Sequence, residues 1–180
     1  MVQTGQNVSP MSNEGRNLYV VEHITDSLLA LMEQHTLNDI SISQICDNAG
    51  VGRASFYRNF ESKEDVLSKH LDHLLTVWAR NNAERINQNL IEAVFEHYWE
   101  NQSLCLLLYK HELSHLTLES IKKLLGPKPE HSNIVAYATA YLSYGLFGWI
   151  DEWFKRGMPE TPNEMFKLWS QAIPNVNSGC

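Results

Sequence analysis

Apolar residues recur at spacings of three and four along almost the whole chain, and no stretch alternates apolar with polar residues as a half-buried strand would. Leu18, Val21, Ile24, Leu28, Leu31 and Met32 mark one face of an amphipathic helix over 16–34. Ser41 reads as the N-cap of a short helix over 42–49 with Ile42, Ile45 and Ala49 inward. Gly50 stops it, since glycine takes the left-handed conformation at a helix C-terminus cheaply. Val51 plugs the core, and a second short helix is predicted over 53–59. Ser62, with Asp65 three residues on, opens a longer helix that carries Leu67, Leu71, Leu74 and Trp78 to residue 80.

Further helices are predicted over 84–100, 103–114 and 117–125, the last ended by Gly126-Pro127, and GPKPEHSN is the clearest loop. A long apolar helix follows over 133–155, stopped by Gly157 and Pro159; Thr161-Pro162 then caps a final helix to residue 172. The reading is all-α, about nine helices. Residues 1–15 are expected to be a disordered tail, 16–62 one unit, 63–173 a larger helical unit, and 174–180 a second tail.

Composition narrows this little. A hydrophobic share of 43% with 19% charged residues suits a globular protein. No apolar run reaches the length of a membrane span, and the polar N-terminus has no signal-peptide core. Cys46, Cys105 and Cys180 are therefore expected to be reduced thiols in a cytoplasmic protein, with Cys46 and Cys105 as small buried hydrophobes. The net charge of −7 argues against indiscriminate coating of nucleic acid. Between Gly52 and Lys63, however, Arg53, Arg58 and Lys63 stand against Glu61 alone.

Two short helices around a glycine turn form a helix-turn-helix, whose second helix enters the DNA major groove. Within SISQICDNAGVGRASFYRNFESKEDVL, the order of Ile45, Gly50, Val51, Ser55, Phe56, Tyr57, Phe60, Ser62, Lys63, Glu64 and Leu67 resembles the N-terminal DNA-binding domain of TetR/AcrR-type bacterial transcriptional regulators. The segment 141–165 is similar to the penultimate helix, loop and last helix of one branch of that family. The resemblance implies a homodimeric regulator, a repressor, whose two N-terminal units read the half-sites of a palindromic operator. A small-molecule effector would act in the larger unit. No cofactor and no enzymatic activity are implied.

Carried over position by position, Arg53, Ala54 and Ser55 meet base edges, and Tyr57, with Arg58 beside it, meets the phosphate backbone. Ser41, Ser43 and Lys63 meet phosphates as well. The chemistry is compatible: Arg bonds guanine bidentately, Ser reaches base or phosphate, and Ala54 admits a thymine methyl. Gly52 departs from the family, which usually has Ser or Thr at that N-cap, and Cys46 replaces a usual alanine. A helix-turn-helix kept only for protein contacts is the bland alternative.

In the larger unit, small residues between aromatics on 133–155 suit helix–helix approach, and the family pairs this helix and the last one across a twofold axis. The interface residues implied are Tyr144, Phe147, Gly148, Ile150, Phe154, Phe166 and Trp169; the alternative is that they fill the protomer's own core. Trp78, Phe95, Tyr98, Trp99, Tyr109 and Tyr137 are candidate linings of an effector pocket, although an aromatic stripe is as readily plain core. A partner protein in place of a small ligand, making the chain an adaptor or co-activator, is the second functional reading. HELSH, residues 111–115, has the His-Glu-x-x-His spacing of zinc hydrolases. It lacks the extended motif, with Leu118 and Ile121 where Gly and His belong, so no metal site is assigned; a zinc hydrolase through HELSH is the remote alternative, and a regulatory or adventitious metal site on His111 and His115, joined by His97, is another.

Overall fold

The structure, a computed structural model, describes residues 13–172. Of the expected tail over 1–15, residues 1–12 lie outside the described residues, as do 174–180 with Cys180, while residues 13–15 are helical and open α1. Nine helices and no strand occur among the described residues: α1 (Asn13–Met32), α2 (Ile42–Ala49), α3 (Arg53–Asn59), α4 (Lys63–Asn81), α5 (Ala83–Glu100), α6 (Gln102–Lys110), α7 (Ser114–Leu125), α8 (Asn133–Lys155) and α9 (Pro162–Ala172). The chain divides into two compact units, 1–66 and 67–180. None of the described helices is long and apolar enough to cross a membrane.

In the first unit, α1 packs on α2 and α3. Its inward residues Ile24, Leu28 and Met32 are fully buried, whereas Leu18, at the start of the expected stripe, is 59% exposed. Ile45, Cys46, Ala49, Phe56 and Phe60 complete the buried set. Ser27, a polar residue on the apolar face of α1, is buried too, because its hydroxyl donates to the Ile45 carbonyl at 2.9 Å. That bond ties α1 to α2 and satisfies an otherwise costly buried donor.

The second unit holds one core of Leu75, Trp78, Val94, Phe95, Tyr98, Cys105, Ile121, Leu146, Ile150, Trp153, Phe154 and neighbours. Helix α7 packs on α8, α9 on α5, and α6 on α5, α7 and α8. At the start of α9, the capping box is complete: Thr161 Oγ1 and Thr161 N–H both donate to the Glu164 carboxylate, and Glu164 N–H returns to Thr161 Oγ1. Those donors hold the Glu164 carboxyl below its usual pKa. Helix α8 ends with the Gly157 N–H on the Phe154 carbonyl and Met158 N–H on that of Trp153, with Gly157 at φ 79°.

Helix α5 is not continuous. Asn89 has φ −154° and ψ 85°, outside the helical region. Its side-chain oxygen accepts from Glu92 N–H at 3.3 Å, and its amide donates to the Glu92 carboxylate at 3.0 Å. Asn89 thus caps a second helical segment, which is the preference of a short polar side chain that competes with helix continuation.

His97 is 6% exposed, against Trp78 with ring centroids 4.8 Å apart and edge-on to Tyr98. Burial disfavours the charged imidazolium and lowers its pKa from 6.5 to about 4. The unfolded chain therefore takes up this proton near pH 6.5 while the folded chain resists it until about pH 4. The stability His97 contributes is full above pH 6.5 and lost as pH falls through that window, a loss of about 3 kcal/mol at 1.36 kcal/mol per pKa unit. Urea unfolding at pH 7 and pH 4.5 is expected to show a steeper acid loss for wild type than for His97→Gln.

Candidate nucleic-acid interface

The turn between α2 and α3 is built by backbone rules. Gly50 sits at φ 66° and ψ 31°, its N–H on the Asp47 carbonyl at 3.2 Å, and Val51 N–H reaches the Cys46 carbonyl at 3.0 Å. This is a Schellman termination, and its left-handed residue is a position that favours glycine. Helix α2 begins with a full capping box: Gln44 N–H donates to Ser41 Oγ, and Ser41 N–H and Oγ–H both donate to Gln44 Oε1 at 2.8 Å. Both ends of α2 are thereby fixed, and α3 is held by Phe56, which is 0% exposed and packs on Phe60 with centroids 5.7 Å apart.

With Phe56 inward, Arg53, Ala54, Tyr57 and Arg58 are exposed and Ser55 is half-buried. Arg53 and Tyr57, like Ala54 and Arg58, are four residues apart and neighbour each other on the outer surface of α3. Arg58 Nη2 donates to Ser55 Oγ at 3.1 Å, so one guanidinium N–H is set against the hydroxyl of the same face. Asn59 Nδ2 caps the Ser55 carbonyl at 2.8 Å. This face offers guanidinium, hydroxyl and phenol groups around a small residue, the donor set that phosphates and base edges take.

The comparisons with known proteins decide the family. Residues 24–69 match the bacterial regulatory proteins of the tetR family, and residues 87–175 match a transcriptional regulator C-terminal region of the same kind. The chain belongs to the TetR family. It is 29% identical over 101 residues to the HTH-type dhaKLM operon transcriptional activator DhaS of Lactococcus lactis subsp. lactis (strain IL1403), a match over 56% of this chain and 48% of that relative. The match thus spans about half the length of that curated relative. Among solved structures, the dihydroxyacetone kinase operon activator DhaS shares the fold at a TM-score of 0.56 and 20% identity, covering 86% of this chain and 92% of that one. The fatty acid degradation regulator FadR from Bacillus halodurans shares it at 0.50 and 18%, covering 84% and 93%.

Lys63 and Ser41 depart from expectation in this TetR-family chain, while Gly52 follows it. The Lys63 ammonium is half-buried and donates to the backbone carbonyls of Leu37 and Ile40, the latter at 2.7 Å. Lys63 therefore fastens the segment between α1 and α2 to the start of α4, and its charge is committed to carbonyls rather than turned to a phosphate. Ser41 likewise spends its hydroxyl proton on Gln44, while Ser43, the second residue of α2, is half-buried. At the start of α3, Gly52 supplies no side-chain cap, and a Cβ there would meet nothing within 4 Å. Gly52→Ser is expected to stabilise the unit by a few tenths of a kcal/mol in urea unfolding and to tighten binding to a DNA duplex.

In the TetR-type C-terminal unit, the candidate pocket aromatics are mostly core. Phe95, Tyr98 and Trp78 are buried, and Trp99 and Tyr109 pack against the same core. Trp99 stacks on Trp153 with centroids 6.0 Å apart, and Tyr109 on Phe154 at 5.1 Å. The Tyr109 hydroxyl donates to Asp151 at 2.9 Å; burial first, then that carboxylate, raises its pKa. Tyr137, by contrast, is 70% exposed, so the six do not converge on one site. Burial also pushes the Cys105 thiol up to about 12, as befits an unreactive core residue. A cleft of about 520 Å³ between α8 and α9 is lined instead by residues including Tyr144, Gly145, Gly148, Trp149, Glu152 and Leu168.

Of the residues expected at a dimer interface, Ile150 and Phe154 are buried in the protomer's own core, which removes them from any surface. Tyr144 and Gly148 are exposed, and Phe147, Phe166 and Trp169 are half-buried against the core. Ile134, Tyr137, Tyr141, Tyr144 and Gly148 form an exposed strip at spacings of three and four along α8, which periodicity alone could have identified.

HELSH is not a helical pair. Helix α6 ends at Lys110, Glu112 takes φ 60°, and α7 begins at Ser114. Glu112 N–H and Leu113 N–H close on the carbonyls of Tyr109 and Leu108, a helix termination in the middle of the motif. His111 and His115 therefore belong to different helical ends and lack the shared face that zinc binding by this motif requires, which overturns the hydrolase reading. Among the described residues no group of three or more His, Cys, Asp and Glu is placed to hold a metal ion, so His97 does not complete one.

Proposed function

We propose that this TetR-family chain is a homodimeric transcriptional regulator that binds a palindromic operator through α3. The observation that carries the reading is the exposed Arg53, Ala54, Tyr57 and Arg58 on a short helix whose angle is set by Gly50 and whose inner side is anchored by Phe56. Two copies are supported by the strip Tyr137, Tyr141, Tyr144 and Gly148 on α8, beside Leu168 of α9, since an apolar strip of this kind needs covering. The N-terminal unit of 1–66 and the larger unit of 67–180 divide the work between DNA and regulation, in the cytoplasm where bacterial DNA lies. A small-molecule effector in the larger unit remains part of the proposal, with repression as the default sign.

A second reading has specific support. The relative in Lactococcus is named an operon activator, and Ile134, Tyr137 and Tyr141 are 75%, 70% and 78% exposed, a surface suited to a second protein. Under that reading the chain is an adaptor or co-activator. Selection of duplexes from a random pool by the purified protein tests the first proposal, with an inverted repeat as the expected product and sedimentation equilibrium giving a dimer. A reporter driven by that repeat then gives the sign: expression rising on deletion of the gene means repression, and falling means activation.

A further inference from the structure

Within the larger unit, α4 and α7 turn two matching stripes to one cavity. Asp72, Leu75 and Thr76 on α4, and Ser120, Lys123 and Leu124 on α7, each at i, i+3 and i+4, line a space of about 250 Å³. The Lys123 ammonium donates to the Asp72 carboxylate and joins the two helices. Leu75 is buried in the core and Leu124 packs against it, so these two give the cavity an apolar floor. Thr76 is exposed, on the solvent side.

Helix α7 leaves hydroxyls unsatisfied on this face. Thr117 is 1% exposed, and its Oγ1 has no hydrogen-bond partner among the described residues. Ser120, 4% exposed, stands one turn further on and lines the cavity; its hydroxyl too forms no hydrogen bond among the described residues. That is not the habit of helical serines in this chain, since Ser143 and Ser170 donate to carbonyls of their own helices at 3.0 and 2.9 Å. A buried hydroxyl without a partner is unfavourable, and a core that needed only packing would carry Ala or Val instead.

We propose that this cavity binds a small neutral molecule rich in hydroxyl groups, a polyol or hydroxycarbonyl compound, as the effector of the larger unit. The inference deepens the effector reading above and rests on it for the consequence at DNA. Asp72 and Lys123 already neutralise each other, so an ionic ligand finds no unpaired counter-charge among the lining residues. What stands open is hydroxyl chemistry. Ser120 and Thr76 can each donate and accept, and the paired carboxylate and ammonium keep spare acceptor and donor positions. A ligand whose own groups both donate and accept meets all four, while Leu75 and Leu124 cover its carbon skeleton. The space is several times the ~30 Å³ share of one liquid water and falls below the ~300 Å³ at which drug-sized sites begin, so the ligand has few carbons.

Saturation-transfer NMR on the whole chain tests it, with glycerol as the probe and acetate, ethylammonium and glycine as charged counterparts of similar size. Glycerol is expected to bind and the three charged molecules are not. Ser120→Ala should weaken glycerol binding about 2- to 12-fold, the worth of one hydrogen bond, without lowering the thermal unfolding temperature. Thr76→Leu, at an exposed position, should fill the mouth of the cavity and abolish the signal with unfolding unchanged. Glycerol binding that neither variant alters puts the ligand elsewhere and overturns the site. No glycerol binding to wild type means a water-filled seam, and preference for glycine or for either ion means another ligand class; both overturn the proposal. A clear loss of thermal stability in Ser120→Ala would show that the hydroxyl serves folding, and would overturn it as well. Anisotropy on the selected duplex keeps the two readings apart. Glycerol that binds at the site yet leaves DNA affinity equally unmoved in wild type and Ser120→Ala retains the site and removes the effector reading.

Discussion

Phe56→Ala is expected to remove about 3–5 kcal/mol from the N-terminal unit, the cost of a phenyl ring deleted from a close-packed site. Phe56 is 0% exposed and touches Tyr57 and Phe60 with ring centroids 5.6 and 5.7 Å away. No polar group of α3 replaces that anchor, because Gly52 gives no side-chain cap and the helix is only seven residues long. A helix this short is not stable by propensity and depends on the packing of its one buried residue. The C-terminal core contains no residue before Leu75, so it should keep its helicity while the N-terminal amides lose protection in hydrogen exchange. DNA binding should vanish with them. Phe56→Leu, which keeps most of the volume, should cost less and retain binding.

Arg53→Ala is expected to do the reverse: leave the fold intact and weaken specific DNA binding strongly. Arg53 is exposed at the first position of α3, and its loss should change stability by no more than about 0.5 kcal/mol. A bidentate contact from Arg to guanine carries about 1–3 kcal/mol of discrimination. That is about 5- to 150-fold per half-site, and in a dimer the factor applies twice. Tyr57→Phe removes only the phenol hydroxyl, so it should weaken the selected and mixed-sequence duplexes alike, as loss of a phosphate contact does. Thermal unfolding together with anisotropy on both duplexes separates these effects.

Much of the architecture was legible because the chain punctuates its helices with residues that have one physical purpose. Ser41, Gly50, Gly157 and Thr161-Pro162 mark ends that the structure reproduces to within a residue or two. Where punctuation is unconventional, periodicity misled. Glu112 occupies a left-handed position with no glycine to advertise it, so HELSH was readable as one helix although the chain turns inside it. Asn89 breaks α5 through its own side-chain cap in a segment whose apolar spacing carries straight on. Helix α1 begins at Asn13, three residues before the expected boundary at 16.

The site was legible at the level of which residues face outward on α3, since burying Phe56 settles the rest by helical geometry. What individual side chains do depends on partners far along the chain. Lys63 finds carbonyls 23 and 26 residues upstream, and no local pattern announces that. Ile150 and Phe154 lie in the core, Phe154 against Tyr98 of α5 and Tyr109 of α6, whereas Tyr144 and Gly148 stand on the exposed side of α8, and composition does not resolve that.

The most direct test of the central claim is to repeat the duplex selection with Arg53→Ala beside wild type. Wild type is expected to enrich an inverted repeat, and Arg53→Ala to relax the same base position in both half-sites while leaving the spacing and the other positions unchanged. Identical motifs from the two proteins, or no enrichment by wild type at low salt, would contradict the account.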